Sequence, residues 1–249
     1  MNTSIFQPRE YLARAGSAAR EGGFEVDTFG EIGGCPLLAF RRRTEMPRPR
    51  IYLSAGIHGD EPAPPLALLE LIIQGAFDAR AEWFLCPLLN PVGLAAGTRE
   101  NGSGVDLNRD YRDPVSTEAA AHISWLRRQP GFDLVVCLHE DFESLGFYLY
   151  EQNPDRRPSL AEVMIAAAAG VMPIDLSPVI DGREARGGII RPSGEPSERP
   201  KWPEAIYLRA HHTRLAYTVE TPSQFPLAQR VAALCAVVSA AIEGSPAGR

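Results

Sequence analysis

The sequence predicts an α/β layer fold, and two observations carry that expectation. Short apolar runs of strand length alternate with longer helix-like runs, and 22 glycines and 22 prolines cut the chain into short elements. Four runs, at residues 50–55 (RIYLSA), 83–89 (WFLCPLL), 133–138 (DLVVCL) and 215–219 (LAYTV), are almost uninterrupted in apolar residues. Strands covered by helices on both faces read this way, so these four belong at the centre of a sheet. Helices are expected around them. Residues 64–74 open with prolines suited to a first turn, 117–128 follow the capping residue Ser116, and 159–169 stop at Gly170. Residues 225–243 are expected to close the chain as a helix. Residues 181–203, rich in glycine, proline and both charges, read as a surface excursion without a core element. No linker-like stretch divides the 249 residues, so a single domain over 1–249 is expected.

Composition narrows the function. With 45% hydrophobic and 22% charged residues the chain can bury a core, which excludes disorder. The balance is mildly acidic, net −6, and Lys201 is the only lysine among scattered arginines, so no basic stripe for nucleic acid is present. Apolar stretches such as 66–73 fall far short of the ~20 residues that cross a bilayer, so no membrane span is expected. The start, MNTSIFQPREYLARAG, lacks the pattern of a signal peptide, and a cytoplasmic protein is expected. Cys35, Cys86, Cys137 and Cys235 are widely spaced in apolar contexts and read as small buried hydrophobes.

Five histidines, at 58, 122, 139, 211 and 212, are the imidazoles available to a metal site. His58 lies in SAGIHGDEP directly after an apolar run, with Glu61 three residues on and a helix expected from about Pro62. A bend there aims both side chains beyond the C-terminal end of a strand, where open α/β sheets place their ligands. His139 ends a second apolar run, DLVVCLH. Two imidazoles and one carboxylate suit Zn²⁺, and three protein ligands leave the fourth tetrahedral position open for water. HxxE is common by chance, however. His122, among apolar neighbours in AAHISWLRR, reads as a satisfied helix histidine, whereas His211 and His212 are either loop residues or a replacement for His139. Two further segments add chemistry. NPVGLAAGTRENGSGVDLNRDYRD sets Arg99, Asn108 and Arg109 among glycines, and a guanidinium matches a carboxylate in shape. Glu220 ends the apolar run LAYTVE and is placed to act as a general base.

The order and wording of these segments resemble the zinc carboxypeptidases of the M14 type. That signature is HxxE, then an arginine nine residues before an Asn-Arg pair, then a strand-end histidine, then a glutamate after an apolar strand. Here it reads His58-Gly59-Asp60-Glu61, Arg99 to Arg109 in RENGSGVDLNR, His139, and Glu220 in YTVETPS. The resemblance spans residues 50–222 or so and implies a phosphorylase/hydrolase-like three-layer α/β/α fold with a mixed, mostly parallel central sheet. It further implies one Zn²⁺ per chain held by His58, Glu61 and His139. Glu220 would be the proton acceptor for water, Arg99 the oxyanion donor, and Asn108 with Arg109 the clamp for a substrate carboxylate. The expected activity is metallocarboxypeptidase cleavage of an amide near the C-terminal carboxylate of a small peptide, a murein peptide being one target. Alternatives are a deacylase of N-acyl amino acids, similar to succinylglutamate desuccinylase and aspartoacylase, and a non-catalytic binder of peptide carboxylates. Asp110 stands where the family carries asparagine and is expected to add negative charge beside the clamp. Tyr207 is the nearest candidate for the family's substrate-facing tyrosine, at too short a spacing to receive that role. Oligomeric state is left open by the sequence.

Overall fold

The computed structural model describes residues 7–46 and 48–245. The chain runs α1 (Pro8–Glu21), β1 (Glu25–Ile32), β2 (Cys35–Arg42), β3 (Arg50–Ser54), α2 (Ala63–Ile73), β4 (Glu82–Cys86) and α3 (Pro91–Ala96). It continues with α4 (Thr117–Leu126), β5 (Leu134–Asp141), β6 (Tyr148–Gln152), α5 (Ala161–Ala169), β7 (Val179–Ile180), β8 (Arg183–Arg186) and β9 (Ile189–Ile190). It ends with α6 (Glu204–His211), β10 (Ala216–Pro222) and α7 (Leu227–Gly244). The ten strands form one sheet in the order β1-β2-β4-β3-β5-β10-β6-β9-β8-β7. The four predicted apolar strands are its parallel centre, β4-β3-β5-β10, and antiparallel pairs flank them.

Strand alternation sorts the core into two layers. Ile51, Leu53, Leu134, Val136, Leu138, Tyr217 and Val219 face α1, α2, α5 and α7. Tyr52, Val135, Cys137 and Ala216 face α4 and α6 on the other side. That is the three-layer α/β/α arrangement. The four cysteines are free; Cys35, Cys86 and Cys137 are buried, as their apolar contexts predict, whereas Cys235 in α7 is only partly buried.

One expectation is corrected. Residues 181–203 do supply sheet strands: β9 pairs with β6 and β8 with β9, because Ala185, Ile189 and Ile190 are apolar enough to be buried there. Among the described residues α7 is a helix long and apolar enough to cross a membrane. Its Ala233, Leu234, Val237, Val238, Ala241 and Ile242 are instead buried, in the core that it shares with α2 and α5.

Candidate metal and catalytic site

His58, Glu61, His139 and Glu220 come together at the C-terminal edge of the parallel strands. His58 follows β3 and Glu61 lies two residues before α2, so the turn between strand and helix presents both. Gly59 makes that turn possible: a Cβ there would lie 2.0 Å from the carbonyl carbon of Gly93 and 2.3 Å from the Leu94 nitrogen in α3. His139 lies in β5 on the face shared by Val135 and Cys137, and β10 runs parallel to β5 with Glu220 opposite His139. One face of two neighbouring strands thus carries a ligand candidate and a carboxylate side by side.

The three candidate ligands are 2%, 3% and 2% exposed, and one donor atom from each lies within 4.8 Å of the others. Glu61 bridges the two imidazoles: Oε1 meets His58 Nδ1, and Oε2 lies 3.1 Å from His139 Nδ1. The rings are 5.0 Å apart. His58 Nε2 lies 3.3 Å from Asp106 Oδ1, and Asp106 Oδ2 accepts from Arg99 Nε at 3.1 Å. A carboxylate on the far nitrogen fixes the tautomer that leaves Nδ1 free to donate its lone pair to a cation. Two nitrogens and a carboxylate converging in a buried pocket therefore fit a divalent metal ion. Among the described residues this is also the one His/Cys/Asp/Glu group with metal-binding geometry.

Without an ion, a proton is held between these groups, and a metal would have to displace it. Burial pulls His58 towards neutrality, but the Glu61 carboxylate and the Asp106 contact outweigh it and lift its pKa to about 9. Burial pushes Glu61 up, and the two imidazoles reverse this and hold it well below the ordinary carboxylate range. Glu220 is different. Burial lifts it to about 8, His139 opposes the lift, and Glu61 and Asp141 add to it. Among the described residues its carboxylate has no hydrogen-bond or ion-pair partner.

A cleft of about 1050 Å³ opens over these groups, lined also by Arg99, Asn108 and Arg109. Asn108 Oδ1 accepts from the backbone N–H of Glu204 at 2.9 Å, at the start of α6, so its –NH₂ is the end able to meet a carboxylate. Asp110 is corrected: its carboxylate turns away to accept from the backbone N–H groups of Val115 and Ser116 and from Ser116 Oγ. It is not among the residues that line the cleft. Tyr207 packs in the core against Tyr111, His211 and His212, away from the cleft, which agrees with assigning it no role. His211 and His212 end α6 and take no part in the cluster. His122 is held between the hydroxyls of Tyr111, 2.6 Å from Nδ1, and Tyr52, 3.0 Å from Nε2. Burial holds its pKa down near 3, as a satisfied core histidine requires.

Four residues escape the sequence reading. Tyr148 and Tyr150 in β6 line the cleft beside Glu220 and Thr218, their register partners in β10. Asp106 supports His58, and its place within GVDLNR is a signal that could have found it. Glu140 follows His139 and so, by alternation, faces the other layer. There it accepts from the Ala63 N–H at 2.6 Å, in the first turn of α2, and pairs with Arg230 in α7.

A profile of the succinylglutamate desuccinylase/aspartoacylase catalytic domain matches residues 47–178, which hold all three candidate ligands and the Arg99 to Arg109 loop. The chain belongs to that family. This desuccinylase/aspartoacylase-type domain is accordingly an enzyme, a metal-dependent hydrolase. Among solved structures it is similar to a candidate metallopeptidase of Shewanella amazonensis SB2B, with 24% identity over 94% of this chain and 91% of that one, at a TM-score of 0.82. The corresponding protein of Shewanella denitrificans OS217 gives 24% identity, 94% and 88% coverage and the same score. A metallo-carboxypeptidase of Burkholderia cenocepacia gives 17%, 93%, 67% and 0.70. These likenesses establish the shared fold. No curated protein matches the sequence.

Proposed function

We propose that the protein is a zinc-dependent metallocarboxypeptidase that hydrolyses an amide next to the free C-terminal carboxylate of a small peptide. The observation that carries this reading is the unpartnered Glu220 carboxylate beside the His58, Glu61 and His139 set, in a cleft that arginines line. Zinc, when bound, supplies a Lewis acid that polarises the scissile carbonyl and acidifies water. Glu220 takes the proton from the attacking water and returns it to the leaving amine. Burial raises its proton affinity above that of an ordinary carboxylate, which suits it to take up the water's proton. Arg99, anchored through Nε on Asp106, offers its remaining N–H groups to the oxyanion. Asn108 and Arg109 hold the carboxylate that restricts cleavage to a chain end.

The size of the cleft favours a peptide. At about 1050 Å³ it lies just above the ~300–1,000 Å³ typical of ligand pockets, with room for more than one residue. The family match over residues 47–178 favours the second reading, deacylation of N-acyl amino acids. Both share the metal and the carboxylate clamp. An assay of the zinc-loaded protein on dipeptides and tripeptides beside N-acetyl and N-succinyl amino acids separates them. For the shared mechanism, Glu220→Gln is expected to keep its zinc and lose about 10²–10⁴-fold in kcat. A variant with wild-type kcat refutes the role of Glu220.

A further inference from the structure

The mouth of the cleft has a feature that the amide chemistry leaves unexplained. Phe142 and Leu145, both 72% exposed, and Val179, 59% exposed, line it together with the buried Ile180. Large apolar side chains gathered on one rim of a cleft mark a binding surface, whereas singly scattered ones need no explanation. The rim is a built structure. Its two segments are laced together: Phe147 N–H donates to Pro173 O at 2.8 Å, Asp175 N–H donates to Phe147 O at 3.0 Å, and the Tyr150 hydroxyl bonds Asp181 beside Val179. It is also continuous with the reaction centre, since Phe142 lies one residue past the end of β5, the strand that carries His139.

Sheet order separates this rim from Arg99. Arg99 and Asp106 contact Glu61 and His58 on the β3 side of the site. The 142–147 connection leads from β5 to β6, and Val179 begins the hairpin at the far edge beyond β6 and β9. Resting on the reading above, in which Asn108 and Arg109 take the substrate carboxylate and Arg99 the oxyanion, this rim is left to the other half of the substrate. We propose that Phe142, Leu145 and Val179 form the subsite for the acyl half, and that this half is apolar: an aliphatic or aromatic side chain or acyl group.

The test uses zinc-loaded protein and substrates that share one carboxylate half and differ in the acyl half: phenylalanyl or leucyl, glycyl, and glutamyl. The wild type is expected to favour the apolar members over the glycyl member by about tenfold or more in kcat/KM. In a Phe142→Ser/Leu145→Ser variant that ratio is expected to collapse towards one, with zinc content retained. These exposed residues carry little of the fold, and Val179→Ser provides a milder second variant with a smaller fall in the same ratio. Equal or better cleavage of glycyl or glutamyl substrates by the wild type overturns the proposal, and loss of a glutamyl preference in Arg183→Ala would assign the subsite to the arginine that also lines the cleft. An unchanged preference in the variants overturns it as well. Cleavage of no member of the series sinks the amide-hydrolysis reading itself, and the subsite falls with it.

Discussion

Glu140→Ala probes how the metal ligands are held in register. The Glu140 side chain is fully buried, its partner Arg230 is 12% exposed, and the remaining oxygen takes the Ala63 N–H at 2.6 Å. Removing the carboxylate strands a nearly buried guanidinium, which costs about 3–5 kcal/mol, and leaves a buried N–H unsatisfied, which costs about 1–3 kcal/mol. The two losses share one carboxylate and overlap, so a destabilisation of about 4 kcal/mol is expected in chemical denaturation of the metal-free protein. Ala63 is two residues past Glu61, and His139 directly precedes Glu140, so the same carboxylate ties two ligand-bearing segments together. Zinc affinity, measured by competition with a chromophoric chelator, is therefore expected to fall about 10–100-fold. A Glu140→Leu/Arg230→Met double variant separates the two effects. Removing both charges should recover most of the stability, because a buried ion pair contributes little over an apolar pair. It cannot restore the anchor on Ala63, so zinc binding should stay weak. A Glu140→Ala protein within 0.5 kcal/mol of wild type and with unchanged zinc affinity, a result about the size of an ordinary surface substitution, would refute this reasoning.

Three further outcomes follow from the same geometry. Stability of the metal-free protein should fall as pH rises from about 6.5 to 9: the folded state binds protons more tightly at Glu220, raised from 4.5 to about 8, and at His58, raised from 6.5 to about 9, whereas below 6.5 the buried His122, held down near 3, offsets the slope. Thermal melts at stepped pH should show this slope, and Glu220→Gln should flatten its lower part; stability rising over that range contradicts the assignment. Gly59→Ala should displace the HGDE turn, since its Cβ would meet backbone atoms of α3 at 2.0–2.3 Å, and zinc affinity measured as above should drop at least tenfold. Asp110→Ala should cost about 1–3 kcal/mol through the lost cap on residues 115–116 yet leave KM within twofold, whereas a large gain in substrate affinity would place Asp110 at the clamp after all.

The parallel centre of the sheet was legible because its strands are buried on both faces and read as continuous apolar runs. The flanks were not. β1, EVDTFGEI, is nowhere buried and shows no clean alternation, and β9 is two residues long, so neither leaves a periodic signal. The ligand candidates His58, Glu61 and His139 were legible because each sits where a strand ends. Tyr148 escaped notice because its place beside Glu220 depends on β6 pairing with β10, strands some 70 residues apart in a register that no local pattern announces. Asp110 was misread for a related reason. Beside the Asn-Arg pair it looks like part of the clamp, but its carboxylate satisfies backbone donors at the start of α4, a choice made by the loop's path. Glu140 shows what alternation alone could have revealed, since the residue after a strand histidine must face the opposite layer.

The account depends most on one metal ion shared by His58, Glu61 and His139. Crystals grown with zinc, with diffraction collected on both sides of the zinc absorption edge, test it directly. One anomalous peak per chain is expected at about 2.0–2.2 Å from Nδ1 of both histidines and from a Glu61 oxygen. A peak held by other residues, or none at these three under saturating zinc, would contradict it.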